Sequence, residues 1–129
     1  MANYPARNSG DQTINYLRAP VTFGIGSTGV IQVGTLPAGC AVIGSYTVVS
    51  TAFNNATTNT LKIGVVGSDA AIASSVSTAA LGINIGTAAA AGANLLPTSD
   101  VQVIATSTST GAVSTAGAGT VVVIYCPVA

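Results

Sequence analysis

The sequence of 129 residues has no histidine, no glutamate and no tryptophan, and only six charged side chains: Arg7, Arg18, Lys62, Asp11, Asp69 and Asp100. Each gap excludes a class of function. Without histidine there is no Ser–His or Cys–His dyad. The three aspartates stand far apart in sequence, with no second carboxylate beside any of them to suggest a glycosidase or a metal-dependent nuclease. A Ser-x-x-Lys pair is missing too, because Asn59 stands three residues before Lys62. The inventory therefore predicts no enzyme, no cofactor and no metal site. Three basic residues neutralise few phosphates, and nucleic-acid affinity rests mainly on that neutralisation, so no nucleic-acid partner is expected. Long apolar runs are also lacking. Thr120–Cys126 is far shorter than the roughly 20 residues that cross a bilayer, and Ala88–Leu96 is mostly Ala, broken by Gly92 and Asn94. Residues 1–20 contain no apolar core of the signal-peptide kind. These readings predict no membrane partner and synthesis in a cytoplasm, where the sequon Asn55-Ala56-Thr57 has no meaning.

Charge poverty also says something positive. Folded, a chain of this mass exposes roughly 6,200 Å², so each charge serves about 1,000 Å². Independently soluble small domains put charge on about a quarter or more of their surface residues and keep their net charge away from zero. Here the charged fraction is 5% and the formal net charge is zero. Such a surface is suited to being covered by other subunits. Two cysteines, Cys40 and Cys126, do not make a disulfide framework. They read as small buried apolar residues or, since both fall at strand ends, as a pair joined after release from the cell. No third ligand is present to complete a metal site.

The patterning is that of an all-β chain. Residues 1–20 hold half of the charges and two of the four tyrosines, and read as an N-terminal arm before a domain at 21–129. Within the arm, Gln12–Arg18 has the makings of an edge strand, with Ile14 and Tyr16 on one side. Val21, Phe23 and Ile25 alternate, and Gly26–Gly29 marks a turn. Ile31 and Val33 follow on one face, then Leu36-Pro37-Ala38-Gly39 fits a type I turn. In Ala41–Ser50, Val42, Gly44, Tyr46 and Val48 share one face, while Ile43, Ser45, Thr47 and Val49 share the other. Both faces are partly apolar, so both are expected to be covered. After the polar loop Asn54–Asn59, alternation resumes at Leu61, Ile63 and Val65, with Lys62 pointing the other way.

Ser68–Leu81 predicts a helix: Ser68 is placed to cap it, Ile72, Val76 and Ala80 recur at helical spacing, and Gly82 stands at its end. Gly86–Asn94 reads as an Ala/Gly loop, Asp100–Thr106 as a strand, Ser107–Gly119 as a loop and Thr120–Cys126 as a closing strand. Seven or eight short strands separated by turns predict a β-sandwich or jelly roll.

Gly24-Ile25-Gly26-Ser27-Thr28-Gly29 is a literal G-x-G-x-x-G directly after a strand. A dinucleotide site needs a helix to open there and an acidic residue about 20 positions later. Val30–Val33 is instead a strand pattern, and the acid is missing, so these glycines are expected to serve a tight hairpin.

Leu36–Gly39 followed by a strand and Thr51-Ala52-Phe53-Asn54 is distinctive. So are Thr57-Thr58-Asn59-Thr60-Leu61 running into Ile63-Gly64, and the stretch Ser114–Tyr125. Together they resemble the small decoration or cement proteins on the heads of tailed bacteriophages, over roughly residues 20–126. That resemblance implies a sandwich or jelly-roll subunit, commonly a homotrimer, seated on the capsid exterior and bridging major capsid protein subunits. Cys40 and Cys126 depart from the pattern, which is expected to carry ordinary small or apolar residues there. Tyr4, Arg7, Tyr16 and Arg18 are the candidate capsid or subunit contacts, since Arg and Tyr are favoured in protein interfaces. Deleting residues 1–18 is expected to weaken attachment and leave the domain folded. The alternatives are another virion part, such as a head-fibre base or tail component, and a non-catalytic glycan-binding module. The second has little aromatic residue to stack on a sugar.

Overall fold

The computed structural model describes residues 14–89 and 96–128. Tyr4 and Arg7 lie outside them. The described residues form nine strands: β1 (Asn15–Thr22), β2 (Val30–Leu36), β3 (Cys40–Thr51), β4 (Thr60–Val65), β5 (Ser68–Ser77), β6 (Gly82–Asn84), β7 (Thr87–Ala88), β8 (Val101–Ser107) and β9 (Ala118–Pro127). A three-residue 3-10 turn, Phe23–Ile25, follows β1. The strands make two antiparallel sheets, ordered β1-β9-β3-β6 and β2-β8-β4-β5-β7, packed as a sandwich. The all-β expectation holds, although β5 and two very short edge strands, β6 and β7, lie beyond the strands read from the sequence, and Phe23–Ile25, expected to continue a strand, is a 3-10 turn.

β-Branched residues suit a strand, where a stiff χ1 packs against neighbours on the pleat. β9 shows this best. It lies between β1 and β3, sends Val121 and Val123 fully inward and turns Thr120, Val122 and Ile124 outward. From the other sheet, Leu36, Leu61, Ile63 and Val103 meet Val121 and Val123 in one continuous core. Each such side chain contributes about 1.5–3 kcal/mol by leaving water. β1 is an edge strand, which is where Pro20 is tolerated, because an edge residue can lack an N–H without breaking the ladder.

Several sequence expectations change. Ser68–Leu81 is not a helix; Ser68–Ser77 is strand β5. Residues four apart lie on one face of a strand as readily as of a helix, so Ile72, Val76 and Ala80 did not distinguish the two. The turn decides it: Gly67 takes φ 91, and the chain doubles back so that Val65 pairs with Ser68. Farther along, Ser75 at φ 53 adds a residue to the strand, so that Ala73 pairs with Ile63 and Val76 with Leu61, and both are buried.

A bulge also resets β3. Val42 pairs with Tyr125, whereas Gly44 pairs with Ile124, so Val42 packs against the core and Ile43 is exposed. Strict alternation had placed them the other way round.

The glycine motif does not make a hairpin. β1 stops at Thr22, the turn closes through Gly26 N–H to the Phe23 carbonyl (3.1 Å), and the chain crosses from one sheet to the other. Leu36–Gly39 is another crossing. Its amides are taken up at long range, Ala38 N–H by Asp100 Oδ1 (2.9 Å) and Gly39 N–H by the Pro97 carbonyl (3.1 Å). In the Ala/Gly stretch, Ala73 and Ser74 pair with Thr87–Ala88, while residues 90–95 lie outside the described set.

At one end of the sandwich the loop 52–59 clasps the loop 108–117. Asn54 Oδ1 accepts from Thr115 N–H (2.9 Å) and Ala116 N–H (3.2 Å), and its Nδ2 donates to Thr115 Oγ1 (3.2 Å). Asn55 accepts from the Ser114 hydroxyl and donates to Ser27 Oγ (3.2 Å). Two threonine pairs, Thr58–Thr110 and Thr60–Thr108, add hydroxyl contacts of 2.7 and 2.8 Å. Side chains thereby satisfy backbone groups that a loop of this length leaves outside any ladder.

Candidate functional site

The two outer faces of the sandwich differ in chemistry. On the five-stranded sheet the outward rows are mostly polar: Thr35 beside Gln102, Gln32 beside Ile104, and Thr106 beside Lys62. Lys62 Nζ lies 3.6 Å from Asp69 Oδ2 at a half-exposed position. Such a surface pair contributes little to stability.

On the four-stranded sheet the outward rows are apolar and aromatic. Tyr16 stands beside Ile124 and Gly44, and Arg18 beside Val122 and Tyr46. Thr120 and Val48 continue to Ile83 on β6. Sequence dictates this, because β9 is apolar at successive positions and so presents apolar side chains to both sides, the pattern of a strand meant to be covered twice. Tyr16 keeps 58% of its surface exposed, Ile83 67% and Ile14 63%. Contiguous apolar exposure on this scale marks an interaction surface, whereas singly scattered residues do not.

Two hollows share Tyr46 and Ile124 in their linings. One, of about 480 Å³, runs toward β1 and is walled by Ile14, Tyr16, Arg18 and Val48. The other, of about 420 Å³, opens at the β6–β7 side between Ile43, Ile83, Ile85 and Ala88, and reaches Ile72. Among the described residues Arg18 is the one charged side chain lining either hollow. Its guanidinium carbon lies 5.9 Å from the Tyr16 ring centroid, a cation–π contact that contributes about 0.5–1 kcal/mol at an exposed site. Tyr16 and Arg18, two residues apart on β1, thus share a face and touch each other. The other two sequence candidates, Tyr4 and Arg7, fall outside the described residues. Sequence reasoning missed Tyr46, Val48, Ile83 and Ile124, although both signals were present: partly apolar faces in Ala41–Ser50 and the unbroken apolar run of β9.

The remaining reactive groups are dispersed. Among the described residues no group of three or more His, Cys, Asp or Glu is placed to hold a metal. Cys40 is buried in the core, and burial, with the charges of Cys126 and Asp100 adding to it, pushes its thiol above the ordinary range. Cys40 pairs with Pro127 and Cys126 with Ala41. The two thiols are neighbours along the ladder but leave opposite faces of the sheet, and both are free. Bridging them requires backbone movement. What this surface offers chemically is apolar contact with one cation at its rim.

No family model and no curated protein matches the sequence. Among solved structures, the chain is similar to one in the structure of the capsid asymmetric unit of cyanophage Pam1. Identity is 26%, the match covers 97% of this chain and 91% of that one, and the TM-score is 0.61. The likeness therefore takes in both sheets of the sandwich and is one of whole architecture, from a bacteriophage capsid.

Proposed function

We propose that this chain is a structural protein of a bacteriophage virion: a decoration or cement protein that binds the outside of the head and bridges major capsid protein subunits. The likeness to the Pam1 capsid chain carries this reading. The sparse charge and the apolar outer face of the β1-β9-β3-β6 sheet support it, because such a surface is stable when covered by repeated contacts. Apolar area contributes about 25 cal/mol per Å² before association costs are met. In a homotrimer, three copies engaging one shell turn weak contacts into tight attachment through effective concentration. The role is architectural and draws on no catalytic group, cofactor or metal. Synthesis is in the host cytoplasm, and the working location is the capsid exterior.

The deciding measurement is the amount of this chain relative to the major shell protein in gradient-purified particles. A ratio near one to one supports the cement role. A handful of copies per particle moves the chain to a fibre or tail position, and absence from particles ends the virion reading. Residues 1–13, with Tyr4 and Arg7, are proposed to contribute anchoring contacts. Deleting 1–13 is a cleaner test than deleting 1–18, since Asn15–Arg18 form half of β1. The expected result is weaker attachment with an unchanged fold, and undiminished attachment would refute the anchoring role.

A further inference from the structure

We infer that the outer face of the four-stranded sheet is where a second copy of this chain docks, with Tyr16, Val48 and Ile83 of each copy in the contact. The inference gives a surface to the self-association named above. Its test needs no phage head, so its failure and failure of the capsid reading are distinguishable.

Two observations select a second copy as the occupant. The first is area. Ile14, Tyr16, Ile43, Val48, Ile83 and Ile85 are each at least one-third exposed. Together they offer on the order of 700 Å², close to the roughly 800 Å² that each partner gives to a stable interface. Soluble monomers rarely leave contiguous apolar patches above about 300–600 Å² uncovered.

The second is charge. The chain is formally neutral, so copies do not repel one another, and the face carries Arg18 alone among the described residues. Foreign partners are steered and sorted by complementary charge. This face has almost none to sort with, and an identical apolar face needs none. With so little charge to keep it dispersed before it meets any other structure, the chain is stable in water when its own copies cover the patch.

Sedimentation velocity and light scattering on the full chain, over about 1–100 μM, read the association directly. The expected result is a closed dimer or trimer for the natural sequence. Val48→Lys and Ile83→Lys each place an unpaired charge in the contact and are expected to weaken association by about a hundredfold or more. Gln32→Lys on the opposite face is expected to leave it unchanged. Tyrosine nitration needs no substitution: Tyr16 and Tyr46 should become protected as concentration rises. A monomer across the range would overturn the inference. So would association unaffected by both outward lysines, or nitration of both tyrosines that is independent of concentration. Circular dichroism on each variant separates lost contact from lost fold. Should Val48→Lys unfold the sheet, Ile83→Lys on the three-residue edge strand and the nitration series still decide the matter.

Discussion

Replacing Gly117 by alanine should destabilise this protein through its backbone and its core at once. Gly117 has φ 152, a conformation that side chains avoid, and a Cβ there would lie 2.6 Å from Cγ of the Phe53 ring. Phe53 is 5% exposed and packs in the core, with its N–H on the Thr78 carbonyl at 2.9 Å, so the ring has little room to retreat. Backbone strain of this kind costs about 1–3 kcal/mol, and overpacking a tight contact costs a similar amount. Gly117→Ala should therefore destabilise by about 2–6 kcal/mol, which lowers Tm by roughly 8–24 °C for a chain of this length. Thermal and urea unfolding at one fixed protein concentration would measure it, and a double-mutant cycle isolates the cause. Phe53→Ala alone should cost about 3–5 kcal/mol. In its background Gly117→Ala should cost only the backbone share, about 1–3 kcal/mol. Gly44→Ala is the control: φ there is unstrained, nothing lies within 4 Å of the new Cβ, and stability should hold or rise. The reasoning fails if Gly117→Ala stays within about 0.5 kcal/mol of the natural protein, or if the two changes prove additive.

The other predictions concern the loop clasp and the thiols. Asn54→Ala removes one acceptor that serves two backbone amides, together with a donor to Thr115, and should cost about 1–2 kcal/mol, at the low end because water reaches the site. Asn54→Asp keeps the acceptor and should cost less; equal losses in urea unfolding would show that the acceptor is not what holds the loop. Maleimide labelling of the native chain should reach half-buried Cys126 well before Cys40, and mild oxidation should leave the two unlinked, as mass spectrometry of non-reduced peptides would reveal. Since the folded state raises the Cys40 thiol, it holds a proton that the unfolded state releases. Stability is then unaffected below the ordinary thiol value and falls as pH climbs past it toward the raised one. Cys40→Ala should remove that alkaline slope, and an unchanged slope would assign it to other groups.

Strands that bury one strictly alternating face were open to reading from the sequence: Leu61, Ile63 and Val65 lie where their spacing put them. β9 was equally plain, because a β-branched run between turn residues has few other ways to fold. Ser68–Leu81 was ambiguous on physical grounds, since a four-residue spacing satisfies both periods and the turn at Gly67 is fixed by how β5 meets β4. Bulges at Ile43 and Ser75 were invisible for a related reason. An extra residue is defined only against a partner strand, and one such residue reverses every side chain beyond it. For the candidate face, Tyr16 and Arg18 were named from the sequence as residues of an N-terminal arm, whereas Tyr46 and Ile83 join them only through pairings across β9 and β3. Such pairings cannot be read along one strand.

The position of β9 has a consequence for how the protein is made. Its neighbours in the four-stranded sheet are β1 and β3, which precede it by most of the chain. Until residues 118–127 have been synthesised, β1 has no ladder and the inner faces of Ala19 and Thr47 have no Val121 to meet. The four-stranded sheet therefore forms after translation of β9, and through contacts of long sequence separation, which slows folding. While it waits, a nearly uncharged set of strands is open to mispairing with other nascent chains. Ribosome-bound chains halted before Ala118 should be protease-sensitive throughout β1 and β3, and resistance would arrive in one step once β9 clears the exit tunnel.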